Sequence, residues 1–223
     1  MKLIELILPP NRYGLWPGFV NAAAVGVVVL LLVGTAAAEP VRILALGDSL
    51  TAGYGLARPA SFPARLEAAL GAGGSVVEVI NAGVSGDTTA GGLARLEWAL
   101  ADKPDAVILE LGANDGLRGL EPASTFANLD AMLRRLRAAG VAVLLAGMKA
   151  PPNLGAEYGA EFDAIFPRLA KKHGVALYPF FLAGVAARPE LNQVDGIHPN
   201  AEGVAVIIER ILPDVKALIA RRR

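Results

Sequence analysis

A chain of 223 residues with 54% apolar and 19% charged side chains is long enough for one ordinary α/β domain and too apolar to stay disordered. Its 21 basic and 21 acidic groups cancel, which removes the electrostatic case for nucleic-acid binding, and the basic run Arg221-Arg222-Arg223 reads as a solvated tail. The lack of cysteine excludes disulfides, thiolate metal sites, a cysteine nucleophile and lipid attachment through an N-terminal Cys.

Residues 1–38 have the make-up of a targeting segment. Lys2 and Arg12 supply positive charge, Ala22 to Gly34 carries no charge, and Ala36-Ala37-Ala38 supplies the small-residue pattern that precedes cleavage. Cleavage after Ala38 is expected to leave a periplasmic or secreted domain over 39–223. The alternative is an inner-membrane anchor over 19–38, 20 nearly all-apolar residues. Removing Lys2, Arg12 and Glu5 with the leader leaves 19 basic and 20 acidic side chains.

Beyond the leader, short apolar runs alternate with helical patterns, as in a parallel α/β sheet. Strands are expected at Val41–Leu46, Val76–Ile80, Ala106–Leu111, Val141–Ala146 and Val175–Tyr178, apolar enough for a sheet covered on both faces. Helical faces are read at Leu93/Leu96/Leu100, Phe126/Leu129/Leu133/Leu136 and Phe162/Ile165/Phe166/Leu169. The last helix carries Val204, Ile207, Ile208, Ile211, Val215 and Leu218, and Pro213 is expected to kink or divide it.

Functional groups in such sheets gather at the carboxyl ends of the strands. The first three strands are followed by Gly47-Asp48-Ser49-Leu50, Asn81-Ala82-Gly83-Val84-Ser85-Gly86-Asp87-Thr88 and Gly112-Ala113-Asn114-Asp115-Gly116; Asp195-Gly196-Ile197-His198-Pro199 lies near the C-terminus. A serine hydroxyl needs a base to take its proton and a third group to orient that base. Of the two histidines, His173 in Lys171-Lys172-His173-Gly174 reads as a surface residue at a helix end. His198 has Asp195 three residues before it, within reach of the imidazole, although Asp-Gly with a later Pro is also a plain turn sequence. Candidate N–H donors for a developing oxyanion are Ser49, Gly83 and the side chain of Asn114. Gly83 and Asn114 each also fit a simple turn, and Asp48 fits a helix cap.

Taken in order, Gly47-Asp48-Ser49-Leu50, Gly83 with its neighbours, Gly112-Ala113-Asn114-Asp115 and Asp195-x-x-His198 resemble the four blocks of the GDSL, or SGNH, hydrolase family over about residues 41–215. Gly53-Tyr54-Gly55-Leu56 and Asn114-Asp115-Gly116-Leu117-Arg118-Gly119 look most like its arylesterase, acyl-CoA thioesterase and lysophospholipase branch. The resemblance implies an α/β/α sandwich on a five-stranded parallel sheet of flavodoxin-like order 2-1-3-4-5. It implies hydrolysis of a small-molecule acyl ester or thioester, with Ser49 as nucleophile and oxyanion donor, Gly83 and Asn114 as further donors, His198 as base and Asp195 as its orienter. No cofactor, metal or nucleic acid is implied, and a lipid substrate would bring the enzyme near a membrane. Leu117 and Leu120 are expected either to line the acyl pocket or to pack the next helix. Competing readings are a carbohydrate acetylesterase with the same triad, metal-assisted hydrolysis through Asp48, Asp87, Asp115, Asp195 and His198, and a non-catalytic binding module.

Overall fold

The structure is a computed structural model that describes residues 39–221. The leader assignment to 1–38 and the last two arginines of the tail fall outside them. Five strands form one sheet: β1 (Val41–Gly47), β2 (Val77–Gly83), β3 (Ala106–Glu110), β4 (Ala142–Ala146) and β5 (Ala176–Tyr178), all parallel and ordered β2-β1-β3-β4-β5. This is the order that the family resemblance implies. β1 and β3, flanked on both sides, are buried almost throughout, as strands covered on both faces should be.

The helices are α1 (Ser49–Ala52), α2 (Phe62–Ala72), α3 (Thr89–Ala94), α4 (Leu96–Leu100), α5 (Ala113–Leu117), α6 (Pro122–Ala138), α7 (Ala156–Asp163), α8 (Ile165–His173) and α9 (Ala201–Ala220). α2 packs on α9, while α6 packs on α3 and α8, so the two groups cover the sheet as separate layers. Among the described residues no helix is long and apolar enough to cross a membrane.

Three expectations change. The pattern at Leu93, Leu96 and Leu100 divides into α3 and α4 at Arg95, whose guanidinium turns inward and bonds to Asp87, the Ala82 carbonyl and the Gly47 carbonyl. The pattern from Phe162 to Leu169 likewise divides into α7 and α8 at Ala164. α9, by contrast, runs undivided through Pro213. Proline lacks the N–H that would bond one turn back, but Ile207, Ile208 and Ile211 before it and Val215 and Leu218 after it are all buried. Packing on both sides of the proline holds one helix where local hydrogen bonding alone would break it.

β2 also extends past Ile80 to Gly83, because each of its residues pairs with β1 down to Gly47 opposite Gly83. Gly47 also pairs with Glu110 at the end of β3. The carboxyl ends of β1, β2 and β3 are therefore flush, and the loops that leave them share one rim.

Candidate active site

Ser49 is the first residue of α1, immediately after β1. Asp48 caps this short helix by accepting from Leu50 N–H at 3.0 Å, which fixes the sharp turn from strand to helix. His198 Nε2 lies 2.9 Å from Ser49 Oγ, and His198 Nδ1 lies 2.7 Å from Asp195 Oδ2. The other oxygen of Asp195 accepts from Ile197 N–H at 2.9 Å and His198 N–H at 3.0 Å. These two main-chain donors, with the His198 ring, hold the Asp195 carboxyl down at about pKa 2. An ionised Asp195 accepts a hydrogen bond from Nδ1–H, which keeps the ring proton on Nδ1 and leaves Nε2 facing the serine as an acceptor. Asp195 and His198 belong to one tight turn, so the pair is assembled locally; Ser49 is 149 residues away in sequence.

Asn114 opens toward the same point from the first turn of α5. Its Nδ2 donates to Asp48 Oδ2 at 3.1 Å, which aims the amide and leaves its second N–H without an acceptor among the described residues. Asp48 thus has the structural role of a cap and, in addition, holds Asn114.

Gly83 departs from its expected role. Its N–H already donates to Asn81 Oδ1 at 3.0 Å, so it is not open to a developing oxyanion. What requires a glycine there is packing: a Cβ on Gly83 would meet Ala52 N at 2.2 Å, where β2 passes under α1. Three residues on, Gly86 has a left-handed φ of +84°, its carbonyl accepts from Arg118 Nη2 at 2.8 Å, and its N–H has no acceptor among the described residues. Nothing in the sequence distinguishes a glycine kept for close packing from one kept for a free N–H.

Two supporting residues are unmarked in the sequence. Arg95 donates to Gly47 O at 2.9 Å and Ala82 O at 2.8 Å, tying the ends of β1 and β2 beneath the site. Glu110, fully buried at the end of β3, accepts from Thr51 Oγ1 at 2.7 Å, and its Oε1 has no partner among the described residues. Burial, and then the nearby charge of Asp48, push the Glu110 pKa well up.

Ser49, Asn114 and His198 open into a cavity of about 420 Å³, walled by Leu50, Leu117, Met148, Phe180, Leu182 and Ile197. Leu117 is thus in the cavity wall. Leu120 is outside it, with its N–H on Asp115 O and its carbonyl accepting from Tyr158 Oη. His173 ends α8 as expected but is not a surface residue: only 5% of its side chain is exposed, and Nε2 meets Asp130 Oδ1 on α6 at 2.7 Å. The carboxylates of the metal reading are committed separately, Asp87 to Arg95, Asp115 to Thr89 and Thr125, and Asp195 to His198. Among the described residues no cluster of three His, Asp or Glu is arranged to hold a metal ion.

A serine facing an imidazole that a carboxylate orients, at the mouth of an apolar cavity, is the equipment of an acyl-transfer hydrolase of the serine type. The chain belongs to the GDSL-like Lipase/Acylhydrolase family, whose model matches residues 45–206. It is 42% identical to Esterase TesA of Pseudomonas aeruginosa, over 86% of this chain and 94% of that protein. It is 41% identical to Thioesterase 1/protease 1/lysophospholipase L1 of Escherichia coli, over 86% and 90%. Among solved structures it resembles AlinE4, an SGNH-hydrolase family esterase, with 51% identity, a TM-score of 0.69 and coverage of 80% of this chain and 96% of that one. The chain is a serine-type esterase or thioesterase that hydrolyses carboxylic-ester or thioester bonds of small-molecule substrates.

Proposed function

We propose that Ser49 is the nucleophile, His198 the general base and Asp195 its orienter, in a two-step acyl transfer. The observation that carries this reading is the 2.9 Å approach of His198 Nε2 to Ser49 Oγ, with Nδ1 held by an ionised Asp195. Ser49 Oγ attacks the carbonyl carbon as its proton passes to Nε2. The tetrahedral oxyanion is met by the Ser49 N–H, the second N–H of Asn114 Nδ2 and, in place of Gly83, the Gly86 N–H. Collapse expels the alcohol or thiol, which takes the proton from His198. Water, deprotonated by His198, then attacks the acyl carbon, the bond to Ser49 Oγ breaks, and His198 returns the proton to Oγ as the acid leaves.

The apolar wall of the cavity favours an acyl chain as the part of the substrate that is bound, with Leu117 bearing on its length. Names of the relatives extend this to aryl esters, acyl thioesters and lysophospholipids. The leader pattern of residues 1–38 supports action outside the cytoplasm.

Hydrolysis of p-nitrophenyl esters, an acyl-CoA, a lysophospholipid and an acetylated sugar, with Ser49→Ala as control, tests the reading. Ser49→Ala should lose nearly all turnover and all labelling by an alkyl phosphonate, and Asn114→Ala should lower kcat by about 10²–10³. Unchanged turnover in Ser49→Ala, or phosphonate on another serine, would remove Ser49 from the mechanism. Preference for the acetylated sugar would move the substrate away from long acyl chains.

A further inference from the structure

The turn that carries His198 is well held on its own side. Asn200 N–H donates to Leu191 O at 2.9 Å, and Asn200 Oδ1 caps α9 by accepting from Glu202 and Gly203. Asn192 Nδ2 donates to the carbonyls of Val185 and Arg188, both at 2.8 Å. All these contacts lie within residues 185–203, and none of them fixes where the turn sits relative to Ser49.

Gln193 spans that gap. Its Nε2 donates one hydrogen to Tyr54 O at 2.7 Å and the other to Pro199 O at 3.0 Å, while its own N–H donates to His198 O at 2.7 Å. Tyr54 N–H in turn donates to Ser49 O at 3.1 Å. An unbroken series of hydrogen bonds therefore runs from Ser49 through Tyr54 and Gln193 to the carbonyls of His198 itself and of Pro199. The Tyr54 ring also lies against the His198 ring, with centroids 4.6 Å apart. The chain makes room for the amide: a Cβ on Gly55 would come within 2.1 Å of Gln193 Oε1, and Gly55 has a φ of +72°. A glycine there serves the backbone angle and the seat of Gln193 together.

We propose that Gln193 is a positioning residue for ester hydrolysis, its carboxamide setting the separation of base and nucleophile by locking the His198 turn onto the Ser49 turn. The inference rests on the reading of Ser49 and His198 as nucleophile and base. Because Asp195 and His198 share one turn, loss of the lock displaces them as a unit and leaves their own hydrogen bond intact. The expected effect is thus on proton transfer between Ser49 and His198, not on the base itself.

The test is Gln193→Met, which keeps length and removes both donors, beside Gln193→Glu, which sets a carboxylate against two carbonyl oxygens. Rates are expressed per site titrated by an active-site burst, so that misfolded protein does not count. Gln193→Met should lower kcat by about 10- to 100-fold, the loss that displacement of a reacting group by about 1 Å brings. KM should stay within roughly twofold. Inactivation by an alkyl phosphonate should slow by the same factor as kcat, the acid limb of the kcat/KM profile should keep its position, and Gln193→Glu should lose at least as much. Wild-type kcat per titrated site in Gln193→Met overturns the proposal, as does an activity loss that fewer titratable sites explain in full. Ser49→Ala separates the two levels. A silent Ser49→Ala beside a fully active Gln193→Met refutes only the role of Gln193, whereas turnover retained in Ser49→Ala refutes the triad and this role with it.

Discussion

Burial controls the charge of Asp48. The carboxyl is fully buried beside Ser49, and desolvation lifts its pKa from 3.8 to about 6 against the opposing pull of the Leu50 N–H and Asn114. A native pKa above the unfolded one stabilises the fold fully below about pH 4, and that contribution is lost as pH rises through about 6. Glu110, also raised, acts with the same sign; Asp195 and Asp130, both lowered, act with the opposite sign. Comparison with Asp48→Asn isolates the effect. The Tm difference between wild type and variant should move in favour of the variant between pH 4 and pH 7, and a pH-independent difference would show that Asp48 is not buried as a strained acid. The variant cannot present acceptors to both Leu50 N–H and Asn114, so its kcat should fall by about 10-fold or more as Asn114 loses its aim.

At this same scale, sequence and structure part along a clear line. Asp195 and His198 are legible because their relation is local, three residues within one turn. Arg95 and Glu110 are not, because each acts on a strand end or turn tens of residues away that only the folded sheet brings near. Gly83 was legible as a glycine with a purpose, but the purpose is the passage of β2 under α1.

Elements are read well where the sheet buries them and less well where a side chain intervenes. All five strands are visible as apolar runs, with ends that shift by up to three residues as pairing extends β2 to Gly83. α2 is absent from the expected helices although Phe62, Leu66 and Leu70, spaced by four, are its buried face. Arg95 divides a helix that periodicity alone reads as one, and α9 survives a proline that should divide it. That survival makes a prediction. Pro213 is exposed while its neighbours on the other face are buried, so its ring is not a core contact. Pro213→Ala restores one main-chain donor and a better helix former, and should raise unfolding stability by about 1–3 kcal/mol. The urea midpoint should rise with an unchanged m-value and unchanged esterase activity; a lower midpoint would mean that the proline ring or a bend in α9 contributes to packing.

For the molecule as a whole, the parallel sheet explains why so much of the site can be read in advance: glycine-rich segments after β1, β2 and β3 must meet at one rim once the strands are in register. The same sheet limits how far a leader cut can reach into the chain. β1 is central, flanked by β2 and β3, and Val41 is already paired with Val77. A cut that removed any part of Val41–Gly47 would cost the middle of the sheet and the strand that delivers Ser49. Cleavage after Ala38, which the leader pattern favours, would leave Glu39 and Pro40 ahead of the strand and keep β1 whole. Enzyme recovered from an exporting bacterial host should therefore start at Glu39 by N-terminal sequencing and have the mass of residues 39–223. Full-length protein that sediments with membranes and is released only by detergent would instead assign residues 19–38 as a retained anchor, with hydrolysis at the membrane face.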